Sequence, residues 1–430
     1  MITSTPRLVA SLVDPRFGPL LDLRRQRLGG PEPPWWLCTC RLARHPIGAL
    51  YNENPPGTAG TSLDADEAAA RGVGEALERY SGLNMTPPVQ KASLRDGGLL
   101  ARWPVCAPDE PCVDSLRSPP PDLPLTQVSA RRLSDGAHVL VPAGFVCLGF
   151  RPDPPEPLIT LAISTGLAFH AELHQAIWRG LCEVIERDAV MSSWWIHTPV
   201  PEIDCERAPR AVRERVELLH SRQMTARLYD ITTELGIPTV FCVLAAMRYP
   251  HLVVGAATRA SPAAACAKAL DEVVSMRVAL QARDMGPTPG RGGTADPGTE
   301  KPVTLVDHAH LYAAGNRAGA FDFLLGPSHA PVAIPYERFA ERAVDEPTDI
   351  ESLARVAQRL EDIGVTVLWV DVTAPEVQPL GVVVRVVVPE LVPLSPDDNV
   401  RWLASPRLLA RAGAAVATRT AFSEHPHPFA

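Results

Sequence analysis

One nine-residue pattern, two carboxylates and an arginine at helical spacing, occurs twice in this chain and constrains its fold more than any other feature. It reads Gly180-Leu181-Cys182-Glu183-Val184-Ile185-Glu186-Arg187-Asp188 in one place and Gly72-Val73-Gly74-Glu75-Ala76-Leu77-Glu78-Arg79-Tyr80 in the other. At about 100° per residue, Ile177, Leu181, Val184, Ile185 and Asp188 share one side of a helix, and Arg179, Glu183, Glu186 and Arg187 the other. Taken singly, such a stretch is a solvated helix face laced with i,i+4 ion pairs. The recurrence changes that reading, because Val73, Ala76 and Leu77 fall where Leu181, Val184 and Ile185 do. A third, degraded copy, Ala269-Leu270-Asp271-Glu272-Val273-Val274-Ser275-Met276-Arg277, keeps the first carboxylate as Glu272. Ser275 and Met276 replace its second carboxylate and its arginine. Separations of 108 and 89 residues are too long and too unequal for a solenoid. Three distant helices with one acidic register are expected to turn their polar faces towards each other.

The rest of the chain fits a soluble α+β protein. Of 430 residues, 46% are apolar and 21% charged, enough to build a sizeable core. A net charge of −8 without any long basic run argues against a nucleic-acid partner. No apolar run approaches the length of a membrane span, and no signal peptide opens the chain. The nine cysteines are scattered, which reads as a reduced, cytoplasmic protein; the one close pair, Cys38-x-Cys40, lacks zinc spacing.

In order, residues 7–25 read as strand, turn and strand, and the run from Trp35 to Leu42 as another strand. Gly57 to Gly60 reads as a loop. Asp64-x-x-Glu67 forms a capping box for the first acidic helix, and Gly82 ends it. A proline-rich stretch over 103–125 precedes strands at 138–143 and 145–148. Residues 159–163 lead through Ser164-Thr165-Gly166 into the second acidic helix, which runs to Trp194-Trp195. Residues 212–219 are helical, and strands follow at 226–231, 238–245 and 253–257. Ser261 then caps the third acidic helix. Residues 285–302 have the composition of a flexible loop. A helix at 350–363 and strands at 365–370 and 382–388 follow. Strands and helices do not alternate as βαβ units, which favours α+β over a doubly wound fold. The expected division is a strand-rich segment at 1–60, a catalytic domain at 61–415 and a proline-containing tail at 416–430.

Several familiar sites are absent from the sequence: no phosphate-binding G-x-x-x-x-G-K-[ST] loop, no G-x-S-x-G elbow, no H-E-x-x-H. Gly72-x-Gly74 lies inside a helical pattern and is no dinucleotide fingerprint. Converging glutamates suit magnesium, a hard cation that shares its oxygen ligands with nucleotide phosphates. Four or five carboxylates with Arg79 and Arg187 beside them could clamp a triphosphate without any glycine loop.

These residues carry a resemblance. The chain resembles the YcaO superfamily of ATP-dependent enzymes that modify peptide backbones. Matching pieces are the Asp64–Gly82 helix with E-A-L-E-R-Y, Val141-Pro142-Ala143, and Ser164-Thr165-Gly166-Leu167-Ala168 feeding E-V-I-E-R-D-A with Trp194-Trp195. Further pieces are Gly236-Ile237-Pro238, Ala269-Leu270-Asp271-Glu272, Asp307-His308 with Tyr312, and the run from Val388 to Leu394. The tail resembles that of the azoline-forming cyclodehydratases of thiazole/oxazole-modified microcin biosynthesis. Their terminal Pro-x-Pro-x-Pro is matched here at Pro426 and Pro428 but ends in Ala430. Arg71, where serine is frequent, and Ser275 with Met276 also depart from the pattern.

The resemblance implies that Glu75, Glu78, Glu183, Glu186 and Glu272 bind magnesium and ATP. It assigns Arg79 and Arg187 to phosphate contact or to orienting those glutamates, Ser164 and Arg16 to nucleotide contact, and Pro428 and Ala430 to a catalytic tail. The implied reaction is cyclodehydration of Cys, Ser or Thr residues of a ribosomally made precursor peptide. The implied partners are that peptide, a ubiquitin-activating-enzyme-like protein that binds its leader, and an azoline dehydrogenase acting later; a homodimer is expected for an enzyme of this size. Two other readings remain open at this point: thioamide or amidine formation with an external nucleophile, and a non-catalytic ATP-binding scaffold.

Overall fold

The computed structural model describes residues 12–43 except 17, 57–84, 87–95, 103–284 except 119 and 198, 302–325, 332–413 and 422–429. The expected first strand before Asp14 lies largely outside these residues, as does nearly all of the loop expected at 285–302.

Three sheets alternate with the three acidic helices. The first sheet is antiparallel: β1 (Leu20–Arg27), β2 (Trp36–Leu42) and β3 (Gly57–Ser62). Helix α1 (Ala65–Asn84) follows. The second sheet combines early and late strands. β4 (Val89–Ala92), β5 (Leu125–Arg132), β6 (His138–Pro142) and β7 (Leu167–His170) precede helix α2 (Leu173–Ile196). The third sheet is built from β8 (Glu202–Asp204), β9 (Met224–Asp230), β10 (Thr239–Ala246) and β11 (Leu252–Thr258), with α3 (Arg210–His220) between β8 and β9. Helices α4 (Pro262–Asp284) and α5 (Leu305–Ala313) come next, then β12 (Ala333–Pro335), which pairs in parallel with β8. Helix α6 (Ile350–Glu361) precedes β13 (Leu368–Asp371) and β14 (Val382–Val387), which return to the second sheet in the order β4-β5-β13-β14-β7. Helix α7 (Pro406–Ala412) lies before the tail. This mixture is the expected α+β class. No helix among the described residues is long and apolar enough to cross a membrane.

Period-two alternation sets the layering. On β14, Val383 and Val387 pack with Val73, Ala76 and Leu77 of α1, whereas Val384 and Val386 pack with Ile177, Leu181 and Ile185 of α2. The second sheet is therefore sandwiched between the first two acidic helices. The far half of α2, with Val190, Trp194 and Trp195, covers one face of the third sheet at Tyr229, Phe241 and Val254. The opposite face, at Leu228, Val240 and Cys242, is covered by Ala269, Leu270 and Val273 of α4. Helix α4 also reaches back to the first sheet, where Thr61 Oγ1 donates to the Asp271 carbonyl at 2.9 Å. The stack thus closes on itself, and α1, α2 and α4 border one interior.

Several local expectations are corrected. Gly57–Gly60 is not a loop but the start of β3; its small residues permit an unusually close approach to α1. A Cβ on Gly60 would overlap the Gly72 nitrogen and the Ala68 carbonyl. Gly82 does not end α1, which continues to Asn84. Its missing side chain makes room for Leu167 and Leu148 instead. Glu67 does not close a capping box: Asp64 Oδ1 accepts from the Glu67 N–H at 2.8 Å, but the Glu67 carboxylate turns to Ser62 and Arg71. Residues 145–148 are a 3-10 turn and its continuation, with Val146 and Cys147 N–H groups bonded to the Ala143 carbonyl. A strand, β7, intervenes between Gly166 and α2.

The helix–sheet approach gives the first test. Gly60→Ala is expected to destabilise the protein by about 1–3 kcal/mol or more, since both clashing atoms are backbone. Gly29→Ala, whose Cβ would meet nothing within 4 Å, should be near neutral in the same urea titration. Equal midpoints for the two variants would contradict the packing described.

Candidate active site

Four of the five expected glutamates are anchored in one way: a carboxylate oxygen accepts a backbone N–H from a neighbouring strand or turn. Glu75 takes that of Ala59 on β3 at 3.3 Å, and Glu78 that of Phe169 on β7 at 2.8 Å. Glu183 takes that of Gly166 at 3.0 Å, and Glu186 that of Thr258 at the end of β11 at 3.1 Å. Each sheet therefore fixes part of the acidic set. Gly180 has the role on α2 that Gly72 has on α1, three residues before the first glutamate of its pattern. A Cβ there would lie 2.8 Å from both the Gly166 carbonyl and a Val386 methyl. Without that glycine, the helix would stand too far from the turn for Glu183 to reach it.

Arginines hold the second oxygen of Glu75, Glu183 and Glu186. Arg79 Nη2 lies 3.0 Å from Glu75 Oε1. Arg187 bridges its own pair, with Nη1 2.5 Å from Glu186 Oε1 and Nη2 3.4 Å from Glu183 Oε1. On α4, Lys268 pairs with Glu272 one turn away. The five carboxyls are close enough to act on one another. Burial, with Glu183 and Glu75 adding repulsion, pushes Glu78 up to about 8. Burial, with Glu183 and Glu272 nearby, pushes Glu186 up to about 7 despite Arg187. Glu75 is raised by burial and by Glu272. Burial pushes Glu272 up as well, but Lys268, Arg71 and Arg187 outweigh it and hold its carboxyl below the usual range. Convergence of α1, α2 and α4 is thus as expected. Among the described residues no three His, Cys, Asp or Glu side chains stand close enough to enclose a metal ion alone. A cation held by these carboxylates would therefore take part of its coordination from phosphate oxygens.

Three residues outside the repeated pattern complete this frame. Asp271, fully buried, accepts from Arg71 Nη1 at 2.7 Å, Arg215 Nε at 2.9 Å and the Trp35 indole N–H at 2.7 Å. This joint fixes α4 against α1 and explains Arg71, which also donates to the Thr61 carbonyl at 2.5 Å. Arg277, one position after the Met276 that replaces the pattern's arginine, is buried against Glu32 at 2.7 Å. Met276 packs into the core on that side. The i,i+4 spacing of Lys268 and Glu272 is readable in the sequence; the Asp271 partners come from positions 56, 200 and 236 residues away.

Two further expected residues lie outside the repeated pattern. Ser164 opens the turn that ends at Leu167, its carbonyl accepting the Leu167 N–H at 2.9 Å. Arg16 lies on the exposed turn before β1, its guanidinium 3.8 Å from Asp14.

The tail is bound along α2 and α5. Trp194 Nε1 donates to the His425 carbonyl at 3.0 Å, and Tyr312 Oη to that of Pro426 at 2.5 Å. The His308 and His427 rings stack with centroids 3.8 Å apart, and His308 Nδ1 lies 2.8 Å from the His427 carbonyl. Pro428 is buried, and the Arg187 guanidinium lies 4.4 Å from the centre of the Phe429 ring. The tail therefore reaches the arginine that braces two of the glutamates. Ala430 falls outside the described residues.

Comparison with known proteins agrees with this geometry. The pattern of the YcaO cyclodehydratase family, described as ATP- and Mg2+-binding, matches residues 59–392. A heterocyclase solved with substrate and cofactor superposes with a TM-score of 0.75 at 19% identity, over 99% of this chain and 57% of that one. The present chain thus spans little more than half the length of that protein. YcaO from Methanopyrus kandleri, bound with AMPPCP and Mg2+, gives a TM-score of 0.65 at 18% identity over 99% of this chain and 96% of its own. The E. coli microcin synthetase McbBCD complex gives 0.55 at 15% identity, covering 86% of this chain and 88% of the matched one.

The raised carboxyls have a measurable consequence. Glu78 and Glu186 hold protons more tightly folded than unfolded, so their ionisation opposes folding. Stability is expected to fall as pH rises from about 4.5 through 7 to 8, with Glu272 acting oppositely only at lower pH. Glu78→Gln, neutral throughout, should flatten the upper part of that slope in urea titrations. An unchanged slope would contradict the burial described.

Proposed function

The chain belongs to the YcaO cyclodehydratase family, and from that premise we propose that it converts Cys, Ser or Thr residues of a ribosomally made peptide to azolines at the expense of ATP. The observation that carries the proposal is the ring of Glu75, Glu78, Glu183, Glu186 and Glu272, drawn from three helices and braced by Arg79 and Arg187. These residues fit magnesium–nucleotide: hard oxygen donors come together from three helices, and cationic donors stand beside them. Bound magnesium would neutralise charge on the phosphates. We assign the five glutamates to holding it, and Arg187 to the transferring phosphoryl group, where a preorganised donor is worth most. Ser164 and Arg16 are assigned to the nucleotide only by resemblance.

In the proposed reaction the side-chain nucleophile gives up its S–H or O–H proton to solvent and adds to the preceding amide carbonyl carbon, giving an oxyanion. That oxygen takes the γ-phosphoryl group of ATP, and ADP departs. Phosphate then leaves carbon as the amide nitrogen loses its proton, closing the C=N bond of the ring. The protein's task is to orient the peptide, exclude water and stabilise charge at the oxygen. The tail, with Pro428 buried and Phe429 on Arg187, is positioned to set the angle of that arginine; we extend this assignment to Ala430.

The partners we propose are the precursor peptide and a leader-binding protein resembling ubiquitin-activating enzymes. The substrate bound to the structurally similar heterocyclase and the multi-subunit make-up of microcin synthetase support them. A homodimer and a later azoline dehydrogenase complete the proposed system.

Intact-mass analysis of a Cys-containing precursor with this protein, its partner and magnesium–ATP tests the reaction. Loss of one water mass per ring is expected. Glu183→Ala with Glu186→Ala should lower the rate by at least about 100-fold. Replacement of oxygen by sulfur when sulfide is supplied would instead establish thioamide formation. Full activity of the double variant would remove the site assignment.

A further inference from the structure

Bordering the acidic ring at Arg187 lies a cleft with about 70 Å3 of free space, partly open to solvent. Its walls are apolar: Trp103, Phe145, Ile163, Val184, Leu391 and Trp402 contribute, and the polar lining is sparse. The Trp103 and Phe145 rings stack at 4.1 Å and 22°, which makes that wall rigid. Arg385 is fixed beneath, its Nε donating to the Phe145 carbonyl at 2.9 Å. Among the lining groups, the Trp103 indole nitrogen and Arg187 Nε are buried without an acceptor among the described residues. Trp103 itself is only 4% exposed. A buried donor left unpaired is costly, about 1–3 kcal/mol, so a site that leaves one is suited to a ligand that brings an acceptor.

The chemistry of the walls defines that ligand. Apolar surface wants an aliphatic or aromatic group, and the indole and guanidinium groups are donors that match carbonyl oxygens. A peptide supplies both at one residue. Position adds the rest, because Arg187 faces this cleft with one edge and braces Glu183 and Glu186 with the other. A peptide in the cleft would present its backbone to the arginine next to the phosphates.

We propose that this cleft is a specificity pocket that takes an apolar side chain of the peptide substrate next to the reacting residue, with the Trp103 indole N–H donating to a peptide carbonyl. The inference rests on the proposed reaction for the identity of the substrate, but its binding test does not depend on turnover.

The test uses fluorescent hexapeptides containing one Cys, with Leu, Phe, Gly or Asp before or after it, and the protein with its partner, magnesium and AMPPCP. Leu and Phe peptides are expected to bind about 10- to 100-fold more tightly than Gly or Asp peptides. Ile163→Trp, which fills the cleft, should abolish that preference, and Leu161→Trp serves as a second filling variant should the first fail to fold. Trp103→Phe, which keeps the ring and removes the donor, should weaken all four peptides about equally, by roughly 5- to 10-fold. No preference in the native protein, or a preference that survives both filling variants, would overturn the proposal. So would displacement of the peptides by adenosine in the absence of AMPPCP, since the cleft would then be a base pocket. The same peptides with ATP separate the two claims. Preferential binding without loss of water would leave the pocket and remove the cyclodehydratase reading; water loss without preference would do the reverse.

Discussion

The structure depends on hydrogen bonds between strand N–H groups and glutamates of helices packed against those strands. A carboxylate in a half-buried interior is costly unless both oxygens find partners. Here one oxygen of Glu75, Glu183 and Glu186 goes to a main-chain N–H and the other to an arginine. The strand fixes position and the arginine supplies countercharge. Close helix–sheet approach is the precondition, and it is set by glycine at Gly60, Gly72 and Gly180. Gly166, with φ +88°, completes the turn whose N–H meets Glu183, and its carbonyl accepts the Val386 N–H at 2.8 Å.

Two buried acidic joints hold the layers at the distance this requires. Asp271 ties α4 to α1, α3 and Trp35, with each oxygen fully engaged. Asp188, on the inner side of α2, accepts from Arg407 Nε and Nη2 at 2.8 Å each and from the Val392 N–H at 2.9 Å. Removing one partner of such a pair costs about 3–5 kcal/mol, because an uncompensated charge is left inside.

The repeated acidic register was legible in the sequence because helix periodicity and ion-pair spacing are local. It placed Glu75, Glu78, Glu183, Glu186 and Glu272 together from one pattern. The tail was legible only as a motif, while its route past Tyr312, His308 and Trp194 depends on contacts over more than 100 residues. β3 was missed because its glycines and threonines look like a turn; their use is steric, to admit a helix. Gly82 was misread as a stop for the same reason. The Asp271 joint had no sequence signature at all, since Arg71, Arg215 and Trp35 meet it from three separate elements. Local rules thus found the acidic residues, and long-range packing decided what supports them.

The central claim is that one metal–nucleotide site is shared by α1, α2 and α4. Anomalous diffraction from crystals of this protein grown with Mn2+ and AMPPCP tests it most directly. The account predicts manganese peaks among the glutamates of the three helices, coordinated by glutamate oxygens from at least two of them and by phosphate oxygens of the nucleotide. Manganese and nucleotide bound elsewhere, with Glu75, Glu78, Glu183, Glu186 and Glu272 still paired only to protein, would contradict it.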